Sequence, residues 1–281
     1  MMKEETKVWS AEGLIDSHAH YFDSRFGGEG DHSADEILSR EVFGAGIAAA
    51  VNVATNPENA LACIRQAQVY SGLYAAVGIH PEDCKALGDA DEEIERIRVL
   101  ADTPEKRKKN KIIAIGEIGL DYYWEPYDKA RQAEFFEKQM LLAKELGLPV
   151  IIHDREAHGD CFETVLRHPD VTGVFHSFSG SAEMARELCR RGWYISFSGV
   201  LTFRNARKVR EVAQVVPSDR ILVETDCPYL SPEPFRGRLN HSGRMVFTAA
   251  ALAEARGTDY QTVVSQTSEN ACVLFGLPDK V

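Results

Sequence analysis

The chain has no basic excess. Its 281 residues include 32 Lys and Arg against 43 Asp and Glu, a formal net charge of −11. Proteins that hold long duplexes by counterion release present a broad basic face, so net charge excludes that mode of binding. A short phosphate-containing substrate, or one entering a small pocket where metal ions supply the positive charge, stays open. Nowhere do about 18 apolar residues run together, and the opening MMKEETKVWSAE holds neither an apolar h-region nor a small-residue cleavage site. No membrane span is expected, and the expected location is cytoplasmic, or nuclear if a partner carries the protein there. Cys63, Cys84, Cys161, Cys189, Cys227 and Cys272 are widely spaced without a CxxC, which suggests neither a disulfide framework nor a zinc ribbon. Low-complexity tracts, solenoid-period repeats and Pro-rich linkers are also missing. One domain is therefore expected, with residues 1–12 as an N-terminal extension and 13–281 as the body.

What is present is a repeating pattern. Eight short segments rich in Val, Ile, Ala or Phe occur at 13–18, 47–54, 74–79, 112–117, 149–153, 172–176, 193–198 and 220–226. They lack strict alternation, as strands of a parallel sheet buried on both faces do. Helical stretches with 3.6-residue periodicity lie between them. KARQAEFFEKQMLLAKELG ends at Gly147 with Pro149 beyond it, and SAEMARELCRRG has Ser181 as its N-cap and Gly192 past its end. Strand then helix, eight times, in a chain near the typical 250 or so residues, predicts an α/β fold, a single-domain (β/α)8 TIM barrel. The competing open doubly wound sheet would carry a Gly-rich loop after its first strand, and none is there.

Functional groups of such a barrel sit at the carboxyl ends of the strands. Five of the nine histidines fall in these segments or at their ends: His18 and His20 in LIDSHAH, His80 in AAVGIHP, His153 in PVIIHDR and His176 in GVFHSFSG. Glu117 in IIAIGEIGLDYY and Asp226 in ILVETDCP join them. Imidazoles mixed with carboxylates suit Zn, Mn, Mg, Fe or Co, metals that acidify water for hydrolysis. His18 and His20, two residues apart on an extended strand, project from one face as a bidentate clamp. Glu117 and Asp226 would be costly in apolar strands unless a cation or partner compensates them. His80, before Pro81, reads as a substrate contact or a support for a ligand.

Other residues are weaker candidates. Glu224, two before Asp226, faces the same way one layer deeper, where it could orient a ligand histidine or be a plain hydrogen-bonded carboxylate. Cys227 should point away from the site. His32, His158, His168 and His241 lie in polar sequence and are expected to be solvated, with His158 and His241 near the rim. The run KRKKNK at 106–111 precedes the fourth strand and is expected as a solvated loop at the amino-terminal face. Arg204 and Arg207 after strand seven, and Arg236, Arg238 and Arg244 after strand eight, fall in loops that line the mouth, where Arg can grip phosphate bidentately.

The motifs DSHAH at 16–20, GIHP at 78–81, GEIGLDYY at 116–123, PVIIHDREA at 149–157, HSFSG at 176–180, YISFSG at 194–199 and ETDCPYL at 224–230 occur in this order, followed by ENACVLFGL at 269–277. Over nearly its whole length the chain resembles the TatD-type metal-dependent deoxyribonucleases, a branch of the amidohydrolase-like TIM barrels. It departs from the pattern at RLNHSG, 238–243, where the family more often has Asn, an acidic or small residue and Pro, and in the longer EKRKKNK segment. The resemblance implies two divalent metal ions (Mg, Mn or Zn), one held by His18, His20 and Asp226, the other by His153 and His176, with Glu117 shared. It also implies 3′ to 5′ hydrolysis of single-stranded DNA ends or short oligonucleotides. Asp226 and Glu117 are then the catalytic carboxylates, with Asp226 the proton acceptor, and His80, Tyr123, Arg204 and Arg236 contact substrate. Tyr123, Trp124 or Phe203 could stack on bases for about 1–3 kcal/mol each. The protein is expected to act as a monomer. Two rival readings remain: a metal-dependent ester or amide hydrolase, such as an aminoacyl-tRNA deacylase or lactonase, and a non-enzymatic scaffold, which would be expected to have lost ligands.

Overall fold

The computed structural model describes residues 9–27 and 33–278. Eight strands, β1 (Ile15–Ala19), β2 (Ala49–Val53), β3 (Leu73–Val77), β4 (Ile112–Asp121), β5 (Val150–Arg155), β6 (Gly173–Phe175), β7 (Tyr194–Phe197) and β8 (Ile221–Val223), form one parallel sheet in sequence order. The ring is closed past the end of β8, where Asp226 N donates to His18 O (2.9 Å) and His20 N donates to Cys227 O (2.7 Å). This is the single-domain (β/α)8 barrel that the pattern predicts. All but a few strand residues are buried, which is why their sequences run apolar without alternation.

Both helices singled out from sequence are present with their caps. Lys129–Leu146 begins at Asp128 and ends on Gly147 in the left-handed region (φ 64°); Ala182–Arg190 begins at Ser181, whose hydroxyl accepts from Met184 N. The basic run is a correction, because it is helical. Pro104–Asn110 is capped by Thr103 and stopped by Lys111 at φ 52°. It does lie ahead of β4, at the amino-terminal face, and Lys106 pairs with Asp102 at 2.8 Å.

Ile15, Ala76, Ala114, Ile151, Val174 and Leu222 pack together as part of one apolar cluster, which Leu274, Phe275 and Leu277 of the C-terminal segment also join. Two residues beyond Ile151, Val174 and Leu222, hence on the same face of their strands, come His153, His176 and Glu224. The apolar filling of the barrel thus gives way to a polar layer at the carboxyl end.

Two irregularities adjust this layer. The β1–β2 register slips between Asp16 and Ala19, and the β4–β5 register slips between Ile115 and Ile118. Each puts one extra residue in the strand that carries His18 or Glu117, a device that re-aims side chains. Of the expected N-terminal extension, residues 1–8 lie outside the described residues; Trp9 packs on Tyr260, with ring centroids 4.7 Å apart, and Ala11 is buried. Among the described residues no helix is long and apolar enough to cross a membrane.

Candidate metal centre

The closure seam assembles the first group of ligands. With β1 and the β8 loop tied by backbone hydrogen bonds, His18 Nε2 lies 3.0 Å from His20 Nε2, and Asp226 Oδ1 lies 3.7 and 3.3 Å from these two nitrogens. Asp226 has φ 55°, a left-handed conformation that Asp tolerates better than most residues and that often marks functional sites. Buried Asp16 staples the seam from behind, accepting from Thr225 N, Thr225 Oγ1, Ser242 Oγ and His18 N. Burial raises its carboxyl to about 7, against the pull of those donors.

The second group forms across β4, β5 and β6. His153 Nδ1 and His176 Nε2 are 3.2 Å apart, each 2.8 Å from Glu117 Oε1. The other oxygen of the same carboxylate, Oε2, lies 3.3 Å from His18 Nε2 and 3.5 Å from His20 Nε2. Glu117 therefore presents one oxygen to each group. His80 Nε2 approaches Oε1 at 3.6 Å, beside the second group.

These residues fit divalent cations. Metal–nitrogen and metal–oxygen bonds of about 2.0–2.2 Å place neighbouring donors about 3 Å apart, which is the spacing seen. The orientation of the rings fits as well. His20 Nδ1 is tied to Val53 O (2.7 Å), His153 Nε2 to Asp121 Oδ2 (2.9 Å) and His176 Nδ1 to Glu224 Oε1 (3.3 Å), so each ring turns its remaining nitrogen into the cluster. His18 Nδ1 is buried without a partner.

Electrostatics divides the roles. Burial alone would raise the Glu117 carboxyl, but the charges of His176, His18 and His80 and the bond from His153 hold it well below the usual range. For Asp226, burial is outweighed by the hydrogen bond from His20 and the charges of His176 and His18, and its carboxyl is lowered. Burial favours neutral His153, yet the bonds to Asp121 and Glu117 push it up to about 9. His80 goes the other way, lowered to about 3 by burial and by the charge of His153.

A cavity of about 550 Å3 opens over the cluster, lined among others by His20, His80, Trp124, Arg155 and Tyr229. All seven residues read from strand ends thus converge, and Glu224 supports His176 as one of its two readings held. Cys227 is buried behind the seam, outside the three candidate ligand groups found among the described residues.

The predicted substrate contacts are placed less uniformly. Tyr123 is half exposed under the guanidinium of Arg155, 3.9 Å from the ring centroid. Arg204 is exposed, and Arg236 stacks on Phe203 at 4.3 Å; neither lines the cavity over the cluster. Arg155, which the sequence reading passed over, does line it. Two histidine expectations are corrected. His168 is buried, 2.8 Å from Glu137, and His241 is largely covered with its Nδ1 unpartnered, because residues remote in sequence cover both. His158 is half-buried and bonded to Asp154 Oδ2 at 2.8 Å. His32 lies outside the described residues.

The family model for TatD-related DNases matches residues 15–276. The chain belongs to the TatD family. It is 37% identical over 265 residues to the uncharacterized metal-dependent hydrolase YabD of Bacillus subtilis, spanning 93% of this chain and 98% of that one. It is 36% identical over 277 residues to the uncharacterized metal-dependent hydrolase TatD of Mycobacterium tuberculosis, spanning 94% and 98%. The crystal structure of YjjV, a TatD homologue from Escherichia coli K12, superposes with a TM-score of 0.86 at 30% identity, covering 95% of this chain and all of that one. As a TatD protein the chain is a metal-dependent hydrolase, and its strand-end cluster is the candidate metal-binding group.

Proposed function

We propose that the protein hydrolyses phosphodiester bonds of DNA, removing nucleotides from single-stranded ends in the 3′ to 5′ direction, with two divalent cations (Mg, Mn or Zn) in its histidine groups. The observation that carries this reading is the shared carboxylate: Glu117 Oε2 faces His18 and His20 while Oε1 faces His153 and His176. Cations so placed would acidify an attacking water and neutralise phosphoryl oxygens. The description of the matching family as TatD-related DNases supports the choice of substrate.

The chain's own groups fit the remaining tasks. Asp226, held ionised by its histidine neighbours, accepts the proton of the attacking water. Neutral His80 beside Glu117 can donate to a phosphoryl oxygen, and Arg155 at the cavity wall can pair with a phosphate. Trp124, exposed at the same wall, offers a face for an unpaired base. Every ligand comes from one chain, which supports activity as a monomer.

A second reading, hydrolysis of an ester or amide such as an aminoacyl ester, is favoured by Asp23, Glu82, Asp83 and Asp121 in the wall of the cavity, where a polyanion is disfavoured. Metal-reconstituted protein and His153→Ala, incubated with 3′- and 5′-labelled single-stranded DNA and with an aminoacyl-tRNA, separate the two. Stepwise shortening from the 3′ end, abolished by chelator and cut at least 100-fold in the variant, is the expected result. Intact DNA with deacylated tRNA would keep the site and overturn the substrate.

A further inference from the structure

The space over the cluster has a second lobe. The larger cavity belongs to the loops after β1–β4, whereas a smaller one of about 300 Å3 lies among the loops after β5–β8 and shares His153, His176 and Asp226 with the cluster. The two differ in chemistry. Acidic side chains line the first; the second is walled by Phe178, Phe197, Val200 and Leu230, with the hydroxyls of Ser177 and Ser198 beside them, 2.8 Å apart.

Asp154 also lines the small lobe. Its side chain is only 4% exposed, and while Oδ2 is bonded to His158, Oδ1 is buried with no hydrogen-bond partner. The nearby thiol of Cys161, raised by burial and by the charge of Asp154, is at best a weak donor. A carboxylate oxygen buried without a donor is costly, and a ligand N–H placed there removes the cost.

We propose that this lobe is the pocket for the terminal nucleobase of the strand, with the scissile phosphate held over the histidines. The inference rests on the phosphodiester reading above. Three features select the ligand. A volume at the low end of the about 300–1,000 Å3 typical of small-ligand sites admits one nucleoside rather than a run of chain. Phenylalanine and aliphatic walls suit the faces of a heterocycle. An unpartnered carboxylate oxygen asks for an N–H, and each of the four bases carries an amino or imino N–H on its pairing edge. The pocket then distinguishes a base from no base more sharply than one base from another.

The test compares two single-stranded oligonucleotides, one with an ordinary 3′-terminal nucleotide and one whose 3′-terminal residue is an abasic tetrahydrofuran. Both are given to metal-reconstituted wild-type protein and to Val200→Phe, which fills the lobe. For the wild type, kcat/KM is expected to be at least tenfold higher with the base than without it, mainly through KM. In Val200→Phe that ratio falls to near one. The ratio is insensitive to a general loss of active protein, and the wild-type comparison stands even if the variant does not fold. A wild-type ratio near one, or the same ratio in both proteins, overturns the pocket while leaving the nuclease intact. No cleavage of either oligonucleotide by the wild type overturns the nuclease reading and this assignment with it.

Discussion

Glu117 carries an unusual load for one side chain: it is buried in a strand, holds one oxygen against each histidine group, and is kept ionised by the rings it faces. Its partner His153 depends in turn on Asp121, whose Oδ2 lies 2.9 Å from Nε2 and so turns Nδ1 toward the cluster. Asp121→Asn keeps the shape and removes the charge. We expect it to weaken the cation at the His153–His176 group by about 10–100-fold while leaving the His18–His20 group nearly unchanged, as read by metal titration; equal weakening of both would show that Asp121 does not act through His153. His241 offers a separate test, away from the cluster. Burial, with the charge of Arg244, lowers its imidazole to about 4 from the ordinary 6.5. The folded state therefore resists a proton that the unfolded chain accepts. Stability from this residue is present above pH 6.5, declines as pH falls toward 4 and levels below that, a loss of at most about 3 kcal/mol. His241→Asn should flatten that part of the stability profile in denaturant unfolding; an unchanged profile would refute the assignment.

At the scale of elements, the strands position the ligands through close backbone contacts. Gly119, between Glu117 and Asp121, has φ 138°, and a Cβ there would run into the carbonyl oxygen of His153. Gly119→Ala should cost several kcal/mol or prevent soluble expression, whereas Gly147→Ala, at φ 64° with open space around it, should cost about 1 kcal/mol and leave activity intact. Equal melting temperatures for the two variants would contradict this. The same elements show what was legible in the sequence. Buried parallel strands leave continuous apolar runs, so all eight were found, and ligands at their ends stood out as polar residues in apolar company. The end of β4 was not legible. The strand continues to Asp121 through a register shift, and nothing local announces a bulge, so Asp121 was quoted within a motif but given no role. Arg155, Asp16 and the burial of His168 and His241 were hidden for a related reason, since each depends on neighbours far along the chain.

For the whole molecule, closing the barrel and building the site are one event. The bonds that join β8 to β1 set Asp226 beside His18 and His20, and β4 to β6 bring Glu117 to His153 and His176. A cation that binds this arrangement and not the unfolded chain stabilises the fold, by about 2.7 kcal/mol at a hundredfold excess over its dissociation constant. The measurement closest to the central claim is therefore a calorimetric titration of metal-stripped protein with Mn or Zn, alongside Glu117→Gln and His153→Ala, with Tm followed in parallel. Two equivalents bound by the wild type with a rise in Tm, one tight equivalent in His153→Ala, and weakened binding of both in Glu117→Gln is the result predicted. One equivalent or none in the wild type, or unchanged binding in Glu117→Gln, would contradict a centre built around a shared carboxylate.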